Sequence, residues 1–327
     1  MIVGFTTSRA RKARLFEYHD TRSSPTEMAV SERINAYLVD GPNVLVQKRS
    51  TPLSPVLATA TFGSMPRDGG GLVIDPDEYK TVIADPIAAK YVRPFKMGRE
   101  LIHNTDRWCL WMPELDPADV QKSQVLRARL DTVRKSREKS RATSTRDYAR
   151  QPHLFVQRAQ PETAYVGVPA VVSERRLYYT VQRLEPDVIA GNKIYTVTDP
   201  DGLQFALLSS SMFVTWQGTV GGRMKSDLSF SSTIAWNNFP VPDLGDEARQ
   251  RIIAAGRKIL DARALHPQRS LADHYNPLTM DTALVKAHDE LDREVDKAFS
   301  APRRLRSEKQ RLELLFRQYQ LLTRDAA

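Results

Sequence analysis

Gly221-Gly222-Arg223-Met224-Lys225-Ser226-Asp227-Leu228-Ser229-Phe230-Ser231 is the stretch around which the rest of the chain is organised. From Arg223 to Phe230 apolar and polar residues alternate, the period of a strand with one buried and one solvated face. Met224, Leu228 and Phe230 then point one way, and Arg223, Lys225, Asp227 and Ser229 the other. Lys225 and Asp227, two positions apart, have Cα atoms roughly 6.5–7 Å apart on such a strand. That spacing suits a donor to a guanine edge and an acceptor for the amino group of its cytosine in the major groove. An ordinary exposed strand face carries the same pattern, and the pattern alone favours it.

Upstream, Phe205, Leu208, Met212 and Trp216 recur at helical spacing and stop at Gly221-Gly222. Residues 151–202 read as β, with expected strands at 154–156, 165–168, 170–172, 177–181 and 194–197 between turn signals such as Pro161, Pro186 and Pro200-Asp201-Gly202. Nearer the start, Val44-Leu45-Val46 and Arg107 to Met112 also read as strands, and Pro76 to Ala89 as a helix with Asp75 placed to cap it. Thr61 to Gly71 is a Gly-rich stretch lacking the Gly-Lys-Ser/Thr ending of a phosphate loop, and reads as a flexible connector. Downstream of Pro242, three amphipathic helices are expected over Asp246–His266, Thr282–Phe299 and Glu308–Leu322.

Across 327 residues the formal charge is +9, pointing to a polyanionic partner, nucleic acid before an anionic membrane. Residues 121–150 carry ten lysines and arginines against three acids, a net of +7. They read as one charged helix from Asp119 to Arg150, with Val125, Leu126, Leu130 and Val133 as a narrow apolar stripe. Its cations, Arg134, Lys135, Arg137, Lys139 and Arg141 among them, face solvent or DNA phosphates, and Arg223 joins them as a candidate phosphate contact. The single cysteine, Cys109, allows no internal disulfide and points to a reducing interior. No apolar run is long enough to span a membrane, and Met1 to Phe5 reads as a short buried strand rather than a signal segment. A cytoplasmic protein held on DNA is the expectation.

Catalytic chemistry is not legible. The six histidines are scattered, so no metal site is expected, and Cys109 lies in an aromatic strand without a partner histidine. Glu78-Tyr79-Lys80 matches a nuclease Glu-x-Lys by letter only, inside a charged helix start.

Several stretches together resemble one family: Ile34 to Asp40, Phe62-Gly63-Ser64-Met65-Pro66, Tyr91-Val92-Arg93-Pro94-Phe95, Ser173-Glu174-Arg175-Arg176, Leu208 to Met212 and Asn237-Asn238-Phe239-Pro240. They look like the C-terminal half of MmeI-like combined restriction–modification enzymes, whose methylase part is an adenine-N6 DNA methyltransferase using S-adenosylmethionine. Ser270 to Met280 and His288 to Phe299 look like the family's helical C-terminal domain. The resemblance implies an α+β chain: a methyltransferase remnant over 1–35, a mixed-strand target-recognition domain over 36–242 and an all-α domain over 243–327. It implies base contacts at Lys225, Asp227 and Ser229, and a second set at Asn192 and Lys193. The family's glycine-rich cofactor loop and Asn-Pro-Pro-aromatic motif do not occur in this sequence. The expectation is therefore a reader of duplex DNA with no cofactor of its own and not active alone, working with a methyltransferase partner that holds S-adenosylmethionine. A methyltransferase or nuclease with unfamiliar motifs, or a non-functional relic, stays open on sequence alone.

Overall fold

The computed structural model describes residues 14–17, 24–30 and 33–324, so the strand expected at residues 1–5 lies outside the described residues. β1 (Leu15–Glu17) and β2 (Thr26–Met28) pair antiparallel, tied by Arg14 and Glu27. β3 (Ala60–Phe62) and β4 (Val73–Ile74) follow. The helix expected over 76–89 is two, α1 (Pro76–Ile83) and α2 (Pro86–Ala89), each opening on a proline where no amide donor is needed. Asp85 makes the restart by accepting from the Ile87 and Ala88 amides. β5 (Val92–Lys96), α3 (Gly98–His103) and β6 (Trp108–Leu110) then lead into the basic segment.

That segment is broken too, into α4 (Pro117–Lys122), α5 (Gln124–Glu138) and α6 (Thr143–Asp147). Ser123 causes the first break: its Oγ accepts from the Leu126 amide and donates to Asp85.

β7 (Tyr165–Pro169), β8 (Val171–Val172), β9 (Gln182–Leu184), β10 (Ile189–Ala190) and β11 (Ile194–Thr198) supply the central strands. The tracts 44–46, 154–156 and 177–181 are not strands. Tyr178, Tyr179 and Val181 are buried all the same, so their β-forming side chains serve the core without joining a ladder. Where one helix was expected over 205–216 there are α7 (Leu203–Leu208) and α8 (Ser211–Val220), because Ser210 accepts from the Phe213 amide and starts a new helix. β12 (Gly222–Met224) and β13 (Asp227–Ser229) follow, then α9 (Asp246–Ala264), α10 (Leu271–His274), α11 (Thr282–Ala298) and α12 (Glu308–Arg324).

Apart from the β1–β2 pair, three sheets form, in the orders β10-β5-β6-β4, β3-β11-β7-β9 and β12-β13-β8. The first lies in a smaller core with the buried stripe of α5, Leu126, Leu130 and Val133. The other two belong to a larger core that runs without interruption into the helical region. Phe205, Phe213 and Trp216 share it with Ile252, Ile259, Leu284, Leu291 and Leu315. Trp216 of α8 packs against Phe316 and Tyr319 of α12, at ring separations of 5.8 and 5.7 Å. Burying aromatic surface of this kind is the largest single source of stability available to such a seam.

Candidate nucleic-acid interface

The continuous strand expected over 223–230 is instead a tight hairpin. β12 and β13 are antiparallel, with Met224 opposite Asp227, Arg223 opposite Leu228 and Gly222 opposite Ser229. Lys225 and Ser226 make the turn, and Lys225 enters it with φ of +58°. Two-residue hairpin turns need a positive φ at the first central position, usually met by glycine or asparagine; a Lys-Ser pair gives no such signal.

The turn reverses the expected faces. Residues opposite one another in a ladder share a face, so Met224, Asp227 and Ser229 point outward together. Arg223 falls on the other face with Leu228, which is buried. Met224 is 60% exposed, not packed with Leu228 and Phe230 as the alternation implied. Lys225 is exposed at the tip, so the strand spacing reasoned for Lys225 and Asp227 does not apply.

The hairpin is held at its base. Gln217, buried in α8, donates from Nε2 to the Ser229 carbonyl at 2.9 Å. Gly221 fits there where a larger residue does not, since a Cβ would lie 2.5 Å from the Gln217 carbonyl oxygen and would displace its Nε2. The far end of α8 is anchored by Asp292 of α11, which accepts from the Ser211 amide at 2.7 Å and from its hydroxyl. Burial pushes the Asp292 carboxyl above the usual range, against those two hydrogen bonds and Arg311. The helical region therefore fixes one end of the rod that carries the hairpin.

Asn192 and Lys193 form the turn between β10 and β11, with Ile194 N donating to the Gly191 carbonyl at 3.0 Å. Gly63 crosses this turn so closely that a Cβ would lie 2.3 Å from the Gly191 carbonyl oxygen. Ala170 joins the two sets of expected base contacts. Its amide donates to the Lys193 carbonyl at 3.0 Å, and its carbonyl accepts from Phe230 N at 2.9 Å. The next residue, Val171, pairs with Ser229. Positions 192–193 and 225–229, more than thirty residues apart in sequence, thus flank one short run of backbone. Asp227 also accepts from the Glu174 amide at 3.3 Å, which ties the 173–176 loop to the hairpin. Neither the Ala170 bridge nor the Glu174 contact has a local signature in the sequence.

Arg137 is a correction. It is wholly buried, and its guanidinium donates to five carbonyls: Nε to Arg67, Nη1 to Tyr148 and Gln151, and Nη2 to Pro66 and Leu154, at 2.6–3.0 Å. It faces inward because it continues the Leu126, Leu130, Val133 stripe of α5, and it is not placed to meet a phosphate. Arg134, Lys139 and Arg141 are exposed. Lys135 is exposed and pairs with Asp131 at 2.6 Å. Arg223 is exposed but donates to the Ser226 and Gly218 carbonyls, bracing the hairpin turn.

The remaining candidates are structural. Glu78 pairs with Arg129 at 2.9 Å, and Tyr79 stacks on Trp108 at 3.8 Å. Burial pushes the Cys109 thiol up. Among the described residues no group of three or more His, Cys, Asp or Glu is arranged to hold a metal ion, and no helix is long and apolar enough to cross a membrane. The Gly-rich stretch is not a loose connector: Gly71 lies against α5, where a Cβ would meet the Arg129 carbonyl oxygen at 2.5 Å.

The hairpin and the β10–β11 turn belong to different sheets but meet through Ala170, with α8 bracing the hairpin, and together form one candidate recognition surface. The chain belongs to the MmeI family: residues 40–243 match the MmeI target recognition domain and residues 244–327 the MmeI C-terminal domain. It is 34% identical over 291 residues to DNA methyltransferase A of Bacillus subtilis (strain 168), a match covering 89% of this chain and 33% of that protein. It is also similar to the solved structure of the type IIL restriction-modification enzyme MmeI in complex with DNA, with a TM-score of 0.87 and 34% identity over 97% of this chain. This chain spans 42% of that solved chain.

Proposed function

We propose that this chain is the sequence-reading module of an MmeI-like DNA adenine-N6 methyltransferase system. It binds duplex DNA in the cytoplasm, while methyl transfer comes from a methyltransferase unit, carrying S-adenosylmethionine, whose motifs are not in this sequence. The observation that carries this is the meeting of the Asn192–Lys193 turn and the Lys225–Ser229 hairpin around Ala170. Lys225 supplies a donor and Asp227 and Ser229 supply acceptors at one rim, the chemistry that tells base edges apart in the major groove. Exposed Arg134, Lys139 and Arg141 contact phosphates, which set register and affinity but carry no sequence information.

The test is selection of duplexes by this chain from a randomised pool. A consensus is expected, and exchanging the pair as Lys225→Glu with Asp227→Arg changes the preferred base at one position. An unaltered consensus in the double variant removes the base-reading role. Methyl transfer to DNA by this chain alone, measured with labelled S-adenosylmethionine, overturns the division of labour.

A further inference from the structure

The turn at Lys225 places an apolar side chain on the polar rim. Met224 lies directly opposite Asp227, and Ser229 is followed across the next ladder by Val171, so these four residues share one outward face. Cross-strand neighbours hold their Cβ atoms roughly 4.5–5.5 Å apart, more than the roughly 3.4 Å from one base pair to the next, so two such side chains reach different pairs. Single exposed hydrophobic residues are ordinary on a protein surface. Met224 is distinguished by its place: 60% exposed, beside a carboxylate, and preceded and followed by the cations Arg223 and Lys225. An unbranched thioether adapts its shape to a small apolar target, and the apolar feature of a major-groove edge is the thymine C5-methyl.

We propose that Met224 packs on the C5-methyl of a thymine in the base pair next to the one contacted by Lys225 and Asp227. The proposal rests on the DNA-reading function above, and adds a methyl group to the chemical features that the rim distinguishes. Asp227 and Met224 then form a two-letter reader, one accepting from an amino group and the other covering a methyl.

The experiment uses the full chain and the duplex it selects. Each thymine is replaced in turn by deoxyuridine, which removes the methyl and nothing else. Binding by the native protein is expected to fall about fourfold at a single thymine, the worth of one buried methyl group. That thymine adjoins the pair whose identity changes in the Lys225→Glu, Asp227→Arg variant. Met224→Ala is expected to bind the thymine duplex about fourfold more weakly and to show no uracil effect at that position, while Met224→Leu keeps part of it. Because Met224 is exposed, all three proteins should melt alike. A native uracil profile in Met224→Ala overturns the proposal, as does a selected site with no thymine in either strand beside that pair. Absence of any selected consensus defeats the DNA-reading function itself; a consensus without the methyl effect defeats only the role of Met224.

Discussion

Lys225 holds its backbone in the left-handed region, φ +58°, where an L side chain with a Cβ costs about 1 kcal/mol relative to glycine. Strain kept at an exposed tip points to a side chain retained for what it touches. Lys225→Gly should therefore raise the unfolding free energy by about 0.5–1 kcal/mol while erasing the base preference, two effects separable by chemical denaturation and by duplex selection. Arg137 behaves in the opposite way. Replacing it with lysine leaves several of its five carbonyl acceptors without donors in a buried site, and each unmet group costs about 1–3 kcal/mol. A loss of several kcal/mol in stability is expected, with an unchanged salt dependence of DNA binding in whatever fraction stays folded. The triple variant Arg134→Ala, Lys139→Ala, Arg141→Ala should do the reverse: native stability, weaker binding to all sequences, and a log–log salt slope shallower by roughly 2.7. On sequence, helical spacing from Leu126, Leu130 and Val133 set Arg137 apart from the other three cations, but not what would receive it. The cage around Arg137 is assembled from residues 66–67 and 148–154, and no local pattern encodes it.

Among the elements, α9, α11 and α12 were legible almost to the residue, because each carries an apolar stripe of helical period long enough to outweigh local noise. The hairpin was not, since Lys225-Ser226 carries none of the turn chemistry that announces one, and a strict alternation reads straight through it. The helices broken at Ser123 and Ser210 were legible in principle: a serine followed three residues on by the amide it caps is a start signal, masked here by charge in one case and by apolar spacing in the other. At the α11–α12 seam, burial pushes the Asp296 carboxyl up to about 6 against the pull of Arg311. Its folded pKa exceeds the ordinary unfolded value near 3.9, so the folded chain takes up a proton between about pH 6 and pH 4 that the unfolded chain does not. Asp296 therefore favours folding more as pH falls through that window. Native protein is expected to gain stability relative to Asp296→Asn between pH 7 and pH 4.5, read from paired denaturation curves.

Taken as a whole molecule, the chain has a larger core that crosses the expected boundary at residue 242, joining Phe213 and Trp216 to Leu291, Leu315 and Phe316. A composition shift marked that boundary, but composition does not report which faces pack together. The resemblance to the MmeI family supplied the candidate positions, and the structure supplied their juxtaposition, which depends on a register between β8 and β13 that spacing alone does not fix. Arg137 gives the molecule an order in time as well as in space. Three of its five acceptors, on Tyr148, Gln151 and Leu154, lie C-terminal to it. During synthesis its charge must stay hydrated until those residues leave the ribosome. The cage around it is therefore completed only after residue 154 has been made, well after the whole of α5.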